Sequence, residues 1–325
     1  MPRPLRIEFK DAWYHVMNRG AAQKNIYKTD QHRFIFLNLL REASLYYNLE
    51  IHAYCLMSNH YHLLINTPQG NLSQGMRHIN GIYTQKFNLS ENIDGSLFRG
   101  RYRAILVEDD SYLLQVSRYI HLNPVEARLV DKPENYPWSS YKDYITPPQT
   151  PWLQTHFIKE MLNAKNNEIA YQNFVNAGND IITRDFYSSQ RQPVIFGEKS
   201  FKNLSLHKVA QHKLKHSKPD YNRTHEPPTL QTISTMCARH FNISEESLFH
   251  YQLGNVNLPR KVAMYFCRVI GQARLEDIAL YFRCKTKSGA SNAVANIKYE
   301  LQKDPLLKEQ MAILEIKIVR GQVYR

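Results

Sequence analysis

Cysteine is scarce in this chain and is not arranged to crosslink it. Cys55, Cys237, Cys267 and Cys284 are the only four in 325 residues, and no two form a Cys-x-x-Cys pair. This argues against a disulfide framework and against a cysteine zinc site, and leaves core packing as their expected role. Long apolar runs are missing too. Residues 1–6 lack the hydrophobic stretch of a signal peptide, and no segment approaches the roughly 18 apolar residues of a membrane span. The expectation is a reduced, cytoplasmic protein with no membrane partner. There is no glycine-rich phosphate loop of the nucleotide-hydrolysing type, so ATP is not implied. Acidic residues are in deficit, 29 against 42 Lys plus Arg, for a net charge of +13. The excess is uneven: residues 1–145 carry a net +3 and the remainder a net +10. Charge alone is compatible with plain solubility, but a basic half joined to phosphodiester chemistry would favour nucleic acid.

The chain is long enough for two ordinary domains. Its first 145 residues read as alternating strands and helices. Ala12 to Asn18 is a strand, and Asp30 opens a helix carrying Phe34, Leu37, Leu40 and Leu45. Glu50 to Met57 and His60 to Ile65 are strands joined at Ser58-Asn59. Asn71 to Phe87 is helical, and Arg101 to Val107 is a further strand. This order suits an α+β fold with helices packed on an antiparallel sheet. Thr146-Pro147-Pro148-Gln149-Thr150-Pro151 reads as a boundary. Residues 146–228 are then a helical and basic connecting region. Its stretch from His207 to His225 gathers Lys208, Lys213, Lys215, Lys218 and Arg223, either as a solvated linker or as a DNA-tracking arm. Residues 229–325 read as a separate α-helical domain.

What is present is a constellation in the first region. His60 and His62 flank Tyr61 in a strand-like run, and period-two geometry turns both imidazoles to one face with Tyr61 on the other. Two such rings can hold one metal ion, although two histidines on a solvated face need bind nothing. Downstream, Ser111 to Asn123 reads as a helix. Asp109, Asp110 and Ser111 stand at its start, Leu113, Val116 and Ile120 form its buried stripe, and Pro124 is expected to stop it. Tyr119 and Asn123, four residues apart, share one face. A phenol, an amide oxygen and two imidazoles are the parts needed for metal-assisted attack by tyrosine on a phosphodiester. His121 falls on a nearly opposite face and reads as structural. His15 reads as a core or edge residue, and Tyr112 as packing. Asn18, Arg19, Arg99, Arg101 and Arg103 could grip phosphates or simply face solvent, with Arg101 and Arg103 expected on one strand face.

His60-Tyr61-His62 resembles the HUH motif of the single-tyrosine, IS200-like transposases. Arg118-Tyr119-Ile120-His121-Leu122-Asn123-Pro124-Val125 resembles the catalytic helix of their REP-associated branch. The similarity extends through Tyr14-His15-Val16-Met17-Asn18-Arg19-Gly20 and Leu97-Phe98-Arg99-Gly100-Arg101-Tyr102-Arg103. It covers about residues 1–145 and implies a ferredoxin-like palm fold in a bacterial protein. It also implies cleavage of single-stranded or hairpin DNA through a 5′-phosphotyrosine, leaving a free 3′-hydroxyl. Tyr119 maps to the nucleophile and His60 and His62 to metal ligands. Asn123 stands where related enzymes often place a glutamine ligand. The mixed nitrogen and oxygen donors suit Mg²⁺ or Mn²⁺ and do not exclude zinc.

In the last hundred residues a short helix from Leu275 to Phe282, a turn at Cys284 to Gly289 and a polar helix from Ser291 to Gln302 have a helix-turn-helix layout. Leu258 to Tyr299 resembles the DNA-binding domain of the bacterial replication initiator, without that domain's Asp-His-Ser-Thr signature; an ordinary helical bundle is the other reading. Lys285, Lys287 and Lys298 are the expected phosphate contacts, and Asn292 is placed for base edges of duplex DNA. Two other readings stand beside a cleaving enzyme: a DNA-binding regulator derived from a transposase, and a phosphoesterase that uses water. The sequence leaves a homodimer open.

Overall fold

Alternation between two apolar faces builds the sheet. The computed structural model describes residues 7–108, 111–189, 193–205, 228–250, 257–271, 273–284 and 286–320. The chain divides into two units, residues 1–220 and 221–325.

In the first unit, β1 (Ala12–Arg19), β2 (Glu50–Leu56), β3 (His60–Thr67), β4 (Arg103–Val107) and β5 (Ile195–Phe196) form one sheet in the order β2-β3-β1-β4-β5. The first four pair antiparallel, and the two-residue β5 joins β4 in parallel. The sheet is therefore mixed, and its fifth strand comes from a stretch the sequence had left in the connecting region.

Helices cover both faces. On one side lie α1 (Asp30–Tyr47) and α2 (Leu72–Glu91). Thr29 caps α1 by accepting from the His32 amide, and Asn48 in the left-handed region ends it. Phe36, Leu39 and Leu40 of α1 and Met76, Ile79 and Tyr83 of α2 pack on Tyr14, Val16, Tyr61, Leu63 and Ile65. Gly75 allows α2 to approach closely, since a Cβ there would lie 2.3 Å from Leu49 Cδ1. On the other side lie α3 (Ser111–Glu126), α4 (Tyr141–Ile145), α5 (His156–Glu160), α6 (Asn167–Asn176) and α7 (Ile181–Ser188). Leu113, Val116 and Ile120 of α3, with Tyr144, Ile158 and Tyr171, pack on Trp13, Ala53, Leu64 and Ile105. Each such side chain contributes about 1.5–3 kcal/mol by leaving water.

Two local expectations change, and the stretch read as a boundary makes hydrogen bonds within the first unit. Pro124 does not stop α3, which runs on to Glu126. A proline in the last turn deprives one carbonyl of its partner, and the turn closes through the Ala127 amide donating to Asn123 at 2.9 Å. Arg101 precedes β4, which begins at Arg103, so the two do not share a strand face. The proline-rich stretch folds back on the first unit: the Asp143 carboxylate accepts from the Gln149 amide at 2.7 Å and the Thr150 amide at 3.0 Å, and the Gln154 amide donates to Ile51 at 2.9 Å. Asp109, Asp110 and the basic stretch from His207 to His225 lie outside the described residues.

The second unit is helical: α8 (Leu230–His240), α9 (Leu258–Val269), α10 (Leu275–Tyr281), α11 (Lys287–Lys303) and α12 (Pro305–Arg320). Asn257 caps α9 by accepting from the Arg260 amide at 3.0 Å. The buried Arg260 guanidinium donates to the carbonyls of Leu248 at 2.6 Å and Phe282 at 2.5 Å, tying α9 to the turn after α10. All four cysteines are free thiols, and three are buried. Among the described residues, no helix is long and apolar enough to cross a membrane.

Candidate active site

The register of the two central strands assembles the site. In the β1–β3 pair, Arg19 lies opposite His60 and Met17 opposite His62. Directly paired residues share a face, and diagonal neighbours remain within reach of long side chains. His15, two positions before Met17, is therefore diagonal to His62 on the same face, and its Nε2 lies 2.9 Å from His62 Nδ1. Tyr61 turns the other way into the α1–α2 core and donates to Asn80 Oδ1 at 2.8 Å.

Helix α3 crosses this face. The Tyr119 ring meets the His62 ring edge-on at 5.9 Å between centroids and the His15 ring at 5.8 Å. His60 and His62 are 5.0 Å apart and nearly perpendicular. Asn123 is buried on the same helix face, and its amide nitrogen donates to the Tyr119 carbonyl at 2.8 Å.

Burial sets the charge state of these groups. His60 is pushed down to about 4, first by desolvation and then by Arg19. His15 is pushed down to about 3 by desolvation and then Arg103, and His62 falls well below its ordinary value by desolvation and its histidine neighbours. All three are neutral near pH 7, as metal ligation requires. The Tyr119 phenol is raised to about 12, first by burial and then by Glu126, while Asn123 pulls the other way. It is protonated at neutral pH and needs help to become a nucleophile.

The donor set fits a metal in part. His60 Nδ1 lies 2.6 Å from Asn59 Oδ1, so that nitrogen carries the proton and Nε2 keeps its lone pair. Among the described residues, no three His, Cys, Asp or Glu side chains form a cation cage. An ion here would rest on His60, His62 and an amide oxygen such as that of Asn123, with positions left for phosphate oxygen and water.

Of the arginines, Arg19 stands beside His60 and donates to Gln23 Oε1 at 3.2 Å, and the Arg99 amide donates to the Arg19 carbonyl at 2.9 Å. Gly20 permits the tight turn after β1, because a Cβ would fall 2.1 Å from the Lys24 carbonyl oxygen. Arg103 pairs with Met17 on the site face, and Arg101 is exposed. Asn18 is occupied within the protein, its amide donating to Gly100 at 3.3 Å and its oxygen accepting from the Arg19 amide at 2.9 Å. His121 is buried away from the site, with nitrogens 2.8 Å from Tyr171 Oη and 2.8 Å from Ser140 Oγ. Tyr112 packs its ring against Phe196.

Two neighbours of Tyr119 were not foreseen. His15, read as a core or edge residue, sits against His62. Tyr187 of α7 stacks on Tyr119 at 3.8 Å with 10° between the planes, and its hydroxyl lies 2.6 Å from His15 Nδ1. His15 had a signal in its strand phase, which matches that of the histidine pair. Tyr187 had none.

The remaining expected contacts belong to the second unit. Lys287 opens α11 and forms an ion pair with Glu276, and Asn292 and Lys298 are exposed on that helix. Lys285 lies outside the described residues.

No curated protein matches the chain. A solved structure of a REP-associated tyrosine transposase bound to a REP hairpin is similar at 17% identity, covering 45% of this chain and 86% of that one, with a TM-score of 0.39. Residues 8–123, a span that includes His15, His60, His62, Tyr119 and Asn123, match the family model described as Transposase IS200 like.

Proposed function

We propose that this chain is a metal-dependent, transposase-like endonuclease and strand transferase that cuts single-stranded or hairpin DNA through a 5′-phosphotyrosine. The observation that carries this reading is the contact of the Tyr119 ring with the His62 ring inside the segment that matches the family model.

The chemistry needs little beyond the residues described. Tyr119 Oη attacks the phosphorus as the bond from phosphorus to the 3′ oxygen breaks. The phenolic proton leaves to solvent, and the departing 3′ oxygen takes one up. The 5′ phosphate remains on Tyr119 as a diester, which conserves the bond energy. Attack by a 3′-hydroxyl on that linkage then joins strands with no nucleotide cofactor. Mg²⁺ or Mn²⁺ held by His60, His62 and Asn123 would draw charge from a non-bridging phosphate oxygen. Arg19, Arg99, Arg101 and Arg103 are the candidates for gripping the strand around the scissile phosphate. Pure binding would need no buried phenol set against two neutral imidazoles, and hydrolysis by water would leave Tyr119 unmodified.

In the second unit, α10, the turn after it and α11 support binding to duplex DNA. Asn292 would face base edges, and Lys298 and Lys287 would face phosphates, the latter by giving up an exposed ion pair of small worth.

The test is a labelled single-stranded oligonucleotide incubated with Mn²⁺ and the full chain. The reading requires a denaturation-resistant adduct in the native protein and none in Tyr119→Phe. Cleavage without an adduct would favour the water-using phosphoesterase, and binding without cleavage the regulator.

A further inference from the structure

We propose that His15 and Tyr187 are positioning residues for this site: through a three-membered hydrogen-bond chain they set which nitrogen of His62 is free for metal, and through its ring Tyr187 holds Tyr119. The inference rests on reading His60 and His62 as a metal pair.

The chain is continuous. Tyr187 Oη lies 2.6 Å from His15 Nδ1, and His15 Nε2 lies 2.9 Å from His62 Nδ1. Each neutral imidazole carries one N–H, so the chain has two possible directions. In one, the Tyr187 hydroxyl donates to His15 Nδ1, His15 Nε2–H donates to His62 Nδ1, and the His62 proton is forced onto Nε2. That His62 has no outward lone pair. In the other, His62 Nδ1–H donates to His15 Nε2, and His15 Nδ1–H donates to the Tyr187 oxygen. His62 Nε2 is then a ligand with its ring angle fixed. We assign the second direction to the resting protein, because it alone leaves His62 a ligand nitrogen, and the same partners would raise metal affinity by pre-orienting the ring. Outer partners of this kind are worth about 10- to 100-fold in metal affinity.

Tyr187 also touches the nucleophile. Its ring lies face to face with Tyr119, so one residue contacts both the ligand chain and the attacking group. Its helix is tied to the helix that carries Tyr119. Asp180 caps α7 by accepting from the Thr183 amide at 2.6 Å, and Arg118, adjacent to Tyr119, pairs with Asp180 at 3.1 Å while lying over the Phe174 ring. Displacing α7 would disturb both the ligand chain and the stack. Tyr187 lies outside the segment matched by the family model, residues 8–123.

The experiment measures Mn²⁺ binding to the full chain without DNA by titration calorimetry, with ¹⁵N spectra of the imidazoles. Wild type should show His62 protonated at Nδ1 in the Mn²⁺-free protein. Tyr187→Phe keeps the stack and removes the hydroxyl that meets His15. It should bind Mn²⁺ about tenfold more weakly, as loss of an outer partner does, and lose cleavage at limiting Mn²⁺ more than at excess. His15→Leu should weaken Mn²⁺ further, and His15→Gln, whose amide oxygen can accept from His62, should restore part of the loss. Tyr187→Leu should lower kcat at saturating Mn²⁺ without changing KM for DNA. If His15→Leu does not fold, Tyr187→Phe, at a half-buried position, still decides the matter. Wild-type Mn²⁺ affinity in Tyr187→Phe, with affinity lost in His62→Ala, overturns the positioning role alone. Wild-type affinity in His60→Ala and His62→Ala overturns the metal reading beneath it.

Discussion

The two faces of the first unit's sheet are built from the same strands but are used differently. The face under α1 and α2 is almost wholly apolar: Tyr14, Val16, Tyr61, Leu63 and Ile65 meet Phe36, Leu40, Ile79 and Tyr83. The face under α3 and α7 has an apolar floor of Trp13, Leu64 and Ile105, but at one end it carries His15, His60, His62 and Arg103 beneath Tyr119 and Tyr187. Strand phase makes this possible, since one residue turns each position from core to site. The apolar face fixes the strands so that the other face can hold costly buried imidazoles in register.

The comparison breaks most sharply at Tyr119, the proposed nucleophile. Tyr119→Phe should abolish the covalent adduct and leave the melting temperature close to wild type, because the ring packing survives. A large fall in melting temperature would mean that both faces are structural. Next in size, His60→Ala or His62→Ala should eliminate metal-stimulated cleavage, as should EDTA on the native protein; full activity in EDTA would remove the metal from the account. On the opposite face, Phe36→Ala should cost about 3–5 kcal/mol of stability, the usual range for emptying a buried aromatic site. Denaturant unfolding measures it, and the remaining folded fraction should still form adduct. The smallest effect belongs to the second unit. Lys298→Gln in the full chain should flatten the salt dependence of duplex binding by about 0.9 in the log–log slope, one phosphate's worth of released counterions. An unchanged slope would take Lys298 off the DNA.

Local pattern made one half of the site legible. The spacing of His60 and His62 announced a strand face, and the four-residue step from Tyr119 to Asn123 announced a helix face, because both are periodic signals inside single elements. The strands from Ala12 and Glu50 and the helix opening at Asp30 were legible for the same reason. Tyr187 was not. It meets His15 across 172 residues, and nothing in its own helix distinguishes a tyrosine that stacks on Tyr119 from one that packs elsewhere. Strand β5 was hidden likewise, since two residues pairing in parallel with β4 leave no alternation to read. Pro124 misled because the rule that ends helices applies to their interiors, and here the last turn tolerated the missing donor. Arg260 carries no local signal either: its two carbonyl partners, Leu248 and Phe282, come from separate segments that only packing brings together.

The most direct measurement is the identity of the modified residue. The full chain is trapped on an oligonucleotide with Mn²⁺, digested, and the nucleotide-bearing peptide sequenced by mass spectrometry. Two tyrosines lie face to face at this site, so the method discriminates at the point where the account is most exposed. A 5′-phosphate diester on Tyr119 is the predicted result; the same mark on Tyr187 or Tyr112, or cleaved DNA with no modified tyrosine, would contradict it.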